Sequence, residues 1–111
     1  YFRITPGGNN TPFGVGQNDT TTNSRGVVTF PVSMRTAPTS LEQSGTASDY
    51  GIEVSVGGGA CTSVPTFASA STISSKVTFA KTTSQTAGQA CIVQTGPTTG
   101  ASAYLGWSAE L

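Results

Sequence analysis

The stretch Gly26-Val27-Val28-Thr29-Phe30-Pro31-Val32-Ser33-Met34 decides the fold class. Val28, Phe30, Val32 and Met34 fall on one side of an extended chain, and Val27, Thr29, Pro31 and Ser33 on the other. This is the period-2 pattern of a strand with one face buried. Pro31 removes a ladder donor, which predicts an edge position or a bulge at that point. Working outward, Gly51 to Val56 repeats the pattern with Ile52, Val54 and Val56, and Lys76 to Lys81 repeats it with Val77 and Phe79. Gln89 to Thr95 reads as a further strand, Thr39 to Gln43 as a short one, and Thr62 to Ala70 as a weaker extended segment broken by Pro65. The last strand is expected over Ser102 to Leu111, with Ala103, Leu105, Trp107, Ala109 and Leu111 on one face. Tyr104 lies on the other face, so one of Tyr104 and Trp107 belongs to the core.

Turn formers separate these runs: Ser44-Gly45, Ser48-Asp49, Gly57-Gly58-Gly59, Ala87-Gly88 and Gly96-Pro97. Residues 1–25 are dominated by them, in Pro6-Gly7-Gly8-Asn9-Asn10, Asn18-Asp19 and Asn23-Ser24. That predicts a turn-rich N-terminal arm with one short polar strand over Gln17 to Thr22, belonging to the same domain as a core over residues 26–111. No window fits a helix better than a strand. The expected fold is all-β, an antiparallel β-sandwich or jelly-roll-like knob of about eight short strands in a single domain.

The composition agrees. Among 111 residues only 9% are charged, while Ser and Thr make up roughly three in ten, with 14 Gly and 6 Pro. Five basic residues balance five acidic ones. Arg3, Arg25, Arg35, Lys76 and Lys81 are scattered, so no basic footprint for nucleic acid is present. No apolar run reaches the 18 or so residues of a membrane span. The opening Tyr1, in place of a Met, reads as the start of a piece of something longer. A thin-cored domain of this size is expected to draw stability from oligomerisation or a cross-link.

Chemistry-bearing groups are few. The chain has no histidine, which removes the commonest general base and metal ligand. Asp19, Glu42, Asp49, Glu53 and Glu110 are dispersed, whereas a glycosidase needs two carboxylates at a set separation. Neither glycine-rich piece continues into a phosphate cradle. No catalytic residue, cofactor or metal site is therefore assigned. Cys61 and Cys91 leave two readings open. A disulfide closing about 30 residues would contribute roughly 3.5 kcal/mol in the chain-entropy model; two buried thiols would act as small hydrophobes. Tyr50, with Asp49 before it at a turn, is the candidate for an exposed aromatic that contacts a ligand. Arg35, close to Pro38, is the candidate for an interface or turn-locking residue, since its planar fork can hold several backbone carbonyls.

Two strings carry a resemblance: Phe30-Pro31-Val32-Ser33-Met34-Arg35-Thr36-Ala37-Pro38, followed by Ser44-Gly45-Thr46-Ala47-Ser48-Asp49-Tyr50. With the opening Thr5-Pro6-Gly7-Gly8-Asn9-Asn10-Thr11-Pro12-Phe13 and the closing Ala101 to Leu111, which ends Ser-Ala-Glu-Leu, the chain resembles the C-terminal knob domain of bacteriophage tail-fibre and tailspike-like proteins. Related knobs decorate capsids. The resemblance implies a non-enzymatic virion protein, a homotrimeric β knob on the exterior of the particle that meets other virion proteins. It implies attachment to a host-surface glycan or protein at a tail-fibre tip, or alternatively a cement or head-fibre role on the capsid. It supplies no catalytic residues and no cofactor.

Overall fold

The strand at the centre of the sequence reading lies inside a seven-stranded antiparallel sheet. The computed structural model describes residues 1–82 and 84–108. Ten strands run along the described residues: β1 (Phe2–Ile4), β2 (Pro12–Asn18), β3 (Asn23–Thr29), β4 (Glu42–Gln43), β5 (Tyr50–Glu53), β6 (Gly59–Ala60), β7 (Ser63–Ala70), β8 (Ser74–Ala80), β9 (Ala90–Thr95) and β10 (Leu105–Trp107). Two 3-10 turns, Ala47–Asp49 and Gly100–Ser102, are the only helical geometry among the described residues. The large sheet has the order β6-β5-β9-β2-β3-β8-β7, and a second sheet has the order β1-β10-β4. The fold is all-β, antiparallel and sandwich-like.

In β3, Ser24, Gly26 and Val28 turn inward and Phe30 follows them into the core, while Val27 faces out. The alternation stops there, and the predicted strand through Met34 is corrected. Pro31 lies beyond the strand's end, Val32 is 75% exposed, and β3 is flanked by β2 and β8 rather than lying at an edge. Proline's missing N–H ends the ladder outright. Pro65 does not break its segment: β7 runs through it as an edge strand, with the register shifting between Ser63 and Thr66. An edge position and a bulge both tolerate the missing donor. Val56 is exposed past the end of β5, so the outer end of the Ile52-Val54-Val56 stripe is lost. Ala103, Leu105 and Trp107 are buried as expected; Ala109, Glu110 and Leu111 lie outside the described residues.

The N-terminal 25 residues differ from the predicted arm. They supply β1, β2 and the start of β3, so the boundary at residue 26 falls within a strand. The polar strand expected over Gln17 to Thr22 is a hairpin end instead. Asn18 closes β2, and the Asp19 and Thr20 N–H groups donate to the Asn23 carbonyl.

Tyr50 on β5 and Phe79 on β8 show how the large sheet is shaped. They stand four strand spacings apart in the sheet order, roughly 19 Å if it were flat, yet their ring centroids are 5.9 Å apart. The sheet therefore curls around its inner face. Glycines permit the curl: a Cβ on Gly26 would fall 2.2 Å from Val93 Cγ2, and one on Gly16 would fall 1.7 Å from the Arg25 carbonyl oxygen. Phe13, Tyr50 and Phe79 form one aromatic group inside the curl. Phe2, Phe30 and Trp107 form a second where the small sheet meets the large one.

Candidate binding groove and the predicted site residues

Tyr50 is fully buried, which corrects the expectation of an exposed ligand-contacting ring. It is the first residue of β5 and packs on the same aromatic group as Phe13 and Phe79. Its hydroxyl donates to the Tyr104 carbonyl at 2.6 Å and accepts from the Ser44 N–H at 2.9 Å. Asp49 is buried as well: its carboxylate accepts from the Ser44 hydroxyl at 2.6 Å, and its carbonyl accepts from the Gly96 N–H at 2.6 Å. The Ser44 to Tyr50 string thus ties a corner of the large sheet to Tyr104, the residue just before β10. Tyr50→Phe leaves one part-buried N–H and one part-buried carbonyl without this partner, so a loss of about 1–3 kcal/mol is expected. Thermal unfolding of the two proteins side by side measures it.

Cys61 and Cys91 are free buried thiols, which decides between the two readings left open and corrects the disulfide. Burial pushes the Cys61 thiol up to about 12, against the smaller opposing effects of an Ala80 backbone hydrogen bond and of Lys81. Burial likewise lowers Lys81 and raises Cys91, the latter opposed by a hydrogen bond with Ser24. A thiol held protonated at neutral pH is a poor nucleophile. No group of three or more His, Cys, Asp or Glu able to hold a metal occurs among the described residues, and no described helix is long and apolar enough to cross a membrane.

Arg35 corrects one half of its reading. Among the described residues it makes no hydrogen bond or ion pair, so it locks no turn through backbone carbonyls. Instead it lines an open groove of about 410 Å³ with Tyr1, Phe2, Pro31, Val32, Ser33 and Met34. Both walls are anchored. The Phe30 and Met34 N–H groups donate to the Ile73 and Thr72 carbonyls, each at 2.8 Å. Phe2 stacks on Trp107 with centroids 5.8 Å apart, and the Tyr1 hydroxyl donates to Glu42 at 2.8 Å. The rim presents the exposed Tyr1 ring, the Val32 side chain and the Arg35 guanidinium. An aromatic face and a guanidinium suit a sugar, whose C–H face packs on the ring while a carboxylate or hydroxyl takes the fork. Sequence reasoning missed Tyr1 and Val32 because the groove joins residues some 30 positions apart.

Scans against protein-family models, curated proteins and solved structures returned no match.

Proposed function

We propose that this chain is a non-enzymatic virion domain, a trimeric β knob at the tip of a tailed-phage fibre that attaches to a host-surface glycan. The reading is supported by the place of the Phe30 to Pro38 string. The residues that carry the resemblance also build one wall of the groove, with Val32 and Arg35 presented to solvent. The exposed Tyr1 ring, Val32 and Arg35 lie together on this groove, on a loop that backbone hydrogen bonds of Phe30 and Met34 hold to the scaffold, the kind of place where binding residues concentrate.

The test is a glycan array of bacterial envelope sugars probed with the fluorescently labelled domain, alongside Arg35→Ala and Val32→Ser. Saturable binding to a subset of glycans, lost roughly tenfold in either variant, is the expected outcome. Both changes are on exposed side chains, so the variants keep the wild-type melting temperature. Binding that ignores both substitutions removes the groove from the reading. Immunogold labelling of particles carrying the domain separates the two positions: gold on fibre tips supports attachment, and gold on heads replaces it with a capsid-decorating role.

A further inference from the structure

The outer face of the large sheet carries a row of paired residues that no packing inside the chain uses. Reading the registers across five strands gives Glu53 on β5, Ile92 on β9, Val15 on β2, Val27 on β3 and Lys76 on β8. Directly paired residues of an antiparallel sheet point to the same side. The inner side is taken by Ile52, Val93, Gly26 and Val77, which are buried, so this row faces out. Val15 is 66% exposed and Val27 43%. The row is therefore an apolar band with an acid at one end and a base at the other. Neither end is committed: the ion pair formed among the described residues is Arg25 with Asp19, at 3.4 Å.

The two flanks of the row differ in shape. Val15, Glu53, Val54 and Ile92 line a shallow groove of about 500 Å³. On the other flank the Val27 and Lys76 side chains are exposed. Because the sheet curls around its inner face, its outer face is convex, and convex faces meet on their flanks rather than face to face. We infer that copies of this chain associate here, the Val27 and Lys76 flank of one copy seating in the Glu53, Val54 and Ile92 groove of the next. Val27 then covers Ile92, and Lys76 meets Glu53. A contact between two different patches closes into a ring when its rotation is a whole fraction of a turn; at a third of a turn, three copies around an axis parallel to the strands use each patch once. The inference rests on the trimer of the proposed function and names its interface.

Light scattering and sedimentation equilibrium over a concentration series test it, with circular dichroism and melting curves to show that each variant is folded. The wild-type chain is expected to be a trimer and Val27→Asp a folded monomer. Glu53→Lys and Lys76→Glu should each raise the concentration for half-dissociation roughly tenfold. The double exchange, Glu53→Lys with Lys76→Glu, should return it to within about twofold of wild type, because the opposite charges face each other again. A wild-type monomer at the highest concentration overturns the interface, as does an oligomer indifferent to Val27→Asp or a double exchange that restores nothing. A dimer overturns the three-fold closure. A monomer that still binds glycans removes this interface and leaves the attachment reading standing; a trimer behaving as described that binds none does the reverse.

Discussion

Replacing Trp107 by alanine is expected to remove about 3–5 kcal/mol of stability, the range for emptying a buried aromatic site. A domain of this size has about 5–15 kcal/mol in total, so the variant sits near the edge of folding. The indole is fully buried, stacked against Phe2 and met edge-on by Phe30 with centroids 5.2 Å apart. Phe2 belongs to β1, Trp107 to β10, and Phe30 follows β3, so one ring joins the small sheet to the large one. The cavity cannot close without the two sheets shifting, which places the cost toward the upper end. Trp107→Phe should cost less than half as much. Among the described residues the indole N–H has no hydrogen-bond partner, and removing a buried unsatisfied donor offsets part of the lost packing. Urea unfolding followed by circular dichroism measures both. A loss under about 1 kcal/mol for the alanine variant would show that this aromatic group does not hold the sheets together. Phe2 and the residues after Phe30 also form the groove, so partial unfolding here should abolish the glycan binding proposed for it before the large sheet melts.

The strands legible in the sequence are those whose burial follows period 2 over several β-branched or aromatic residues. β3, β8 and β9 lie where Val28, Val77, Phe79 and Val93 place them. The same periodicity could have found Tyr50. It stands two positions before Ile52 and so belongs to the buried stripe, but the Ser48-Asp49 turn signal drew it to the surface. At Val32 the error ran the other way: alternation continued on paper after Pro31 had ended the ladder. β1, with three residues, is too short for any period to show, and its burial depends on β10, about a hundred positions later. The groove and the outer row were illegible for a related reason. The groove needs Tyr1 and Phe2 beside Pro31 to Arg35, and the row needs four strand registers, neither of which is local information. Arg35 was singled out for a planar fork able to hold several backbone carbonyls, yet it holds none among the described residues, because which carbonyls come within reach is set by the fold and not by the residue type.

Gly16→Ala is expected to destabilise the domain by about 2–3 kcal/mol, against the usual direction for this exchange. At an ordinary extended position alanine in place of glycine stabilises by about 0.4–1 kcal/mol, because the unfolded chain has less freedom to lose. Here the new Cβ would lie 1.7 Å from the Arg25 carbonyl oxygen, 2.7 Å from its carbon and 2.8 Å from the Gly26 Cα. All three are backbone atoms of β3, the strand paired with β2 through Gly16 and Gly26, so no rotamer change can make room. The two central strands must move apart, and the curl that brings Tyr50 onto Phe79 relaxes with them. Gly26→Ala provides the contrast. Its nearest contacts are the Val93 side chain, at 2.2 and 2.9 Å, and a side chain can be shortened. Combining Gly26→Ala with Val93→Ala should therefore cost less than the sum of the two changes, a favourable coupling of about 1–2 kcal/mol. Gly16→Ala should show no such coupling with Val93→Ala. Chemical denaturation of the wild type and the five variants gives both coupling energies. Equal coupling at the two positions would mean that glycine serves both strands through side-chain room alone, and that the close approach of β2 to β3 does not set the curvature of the sheet.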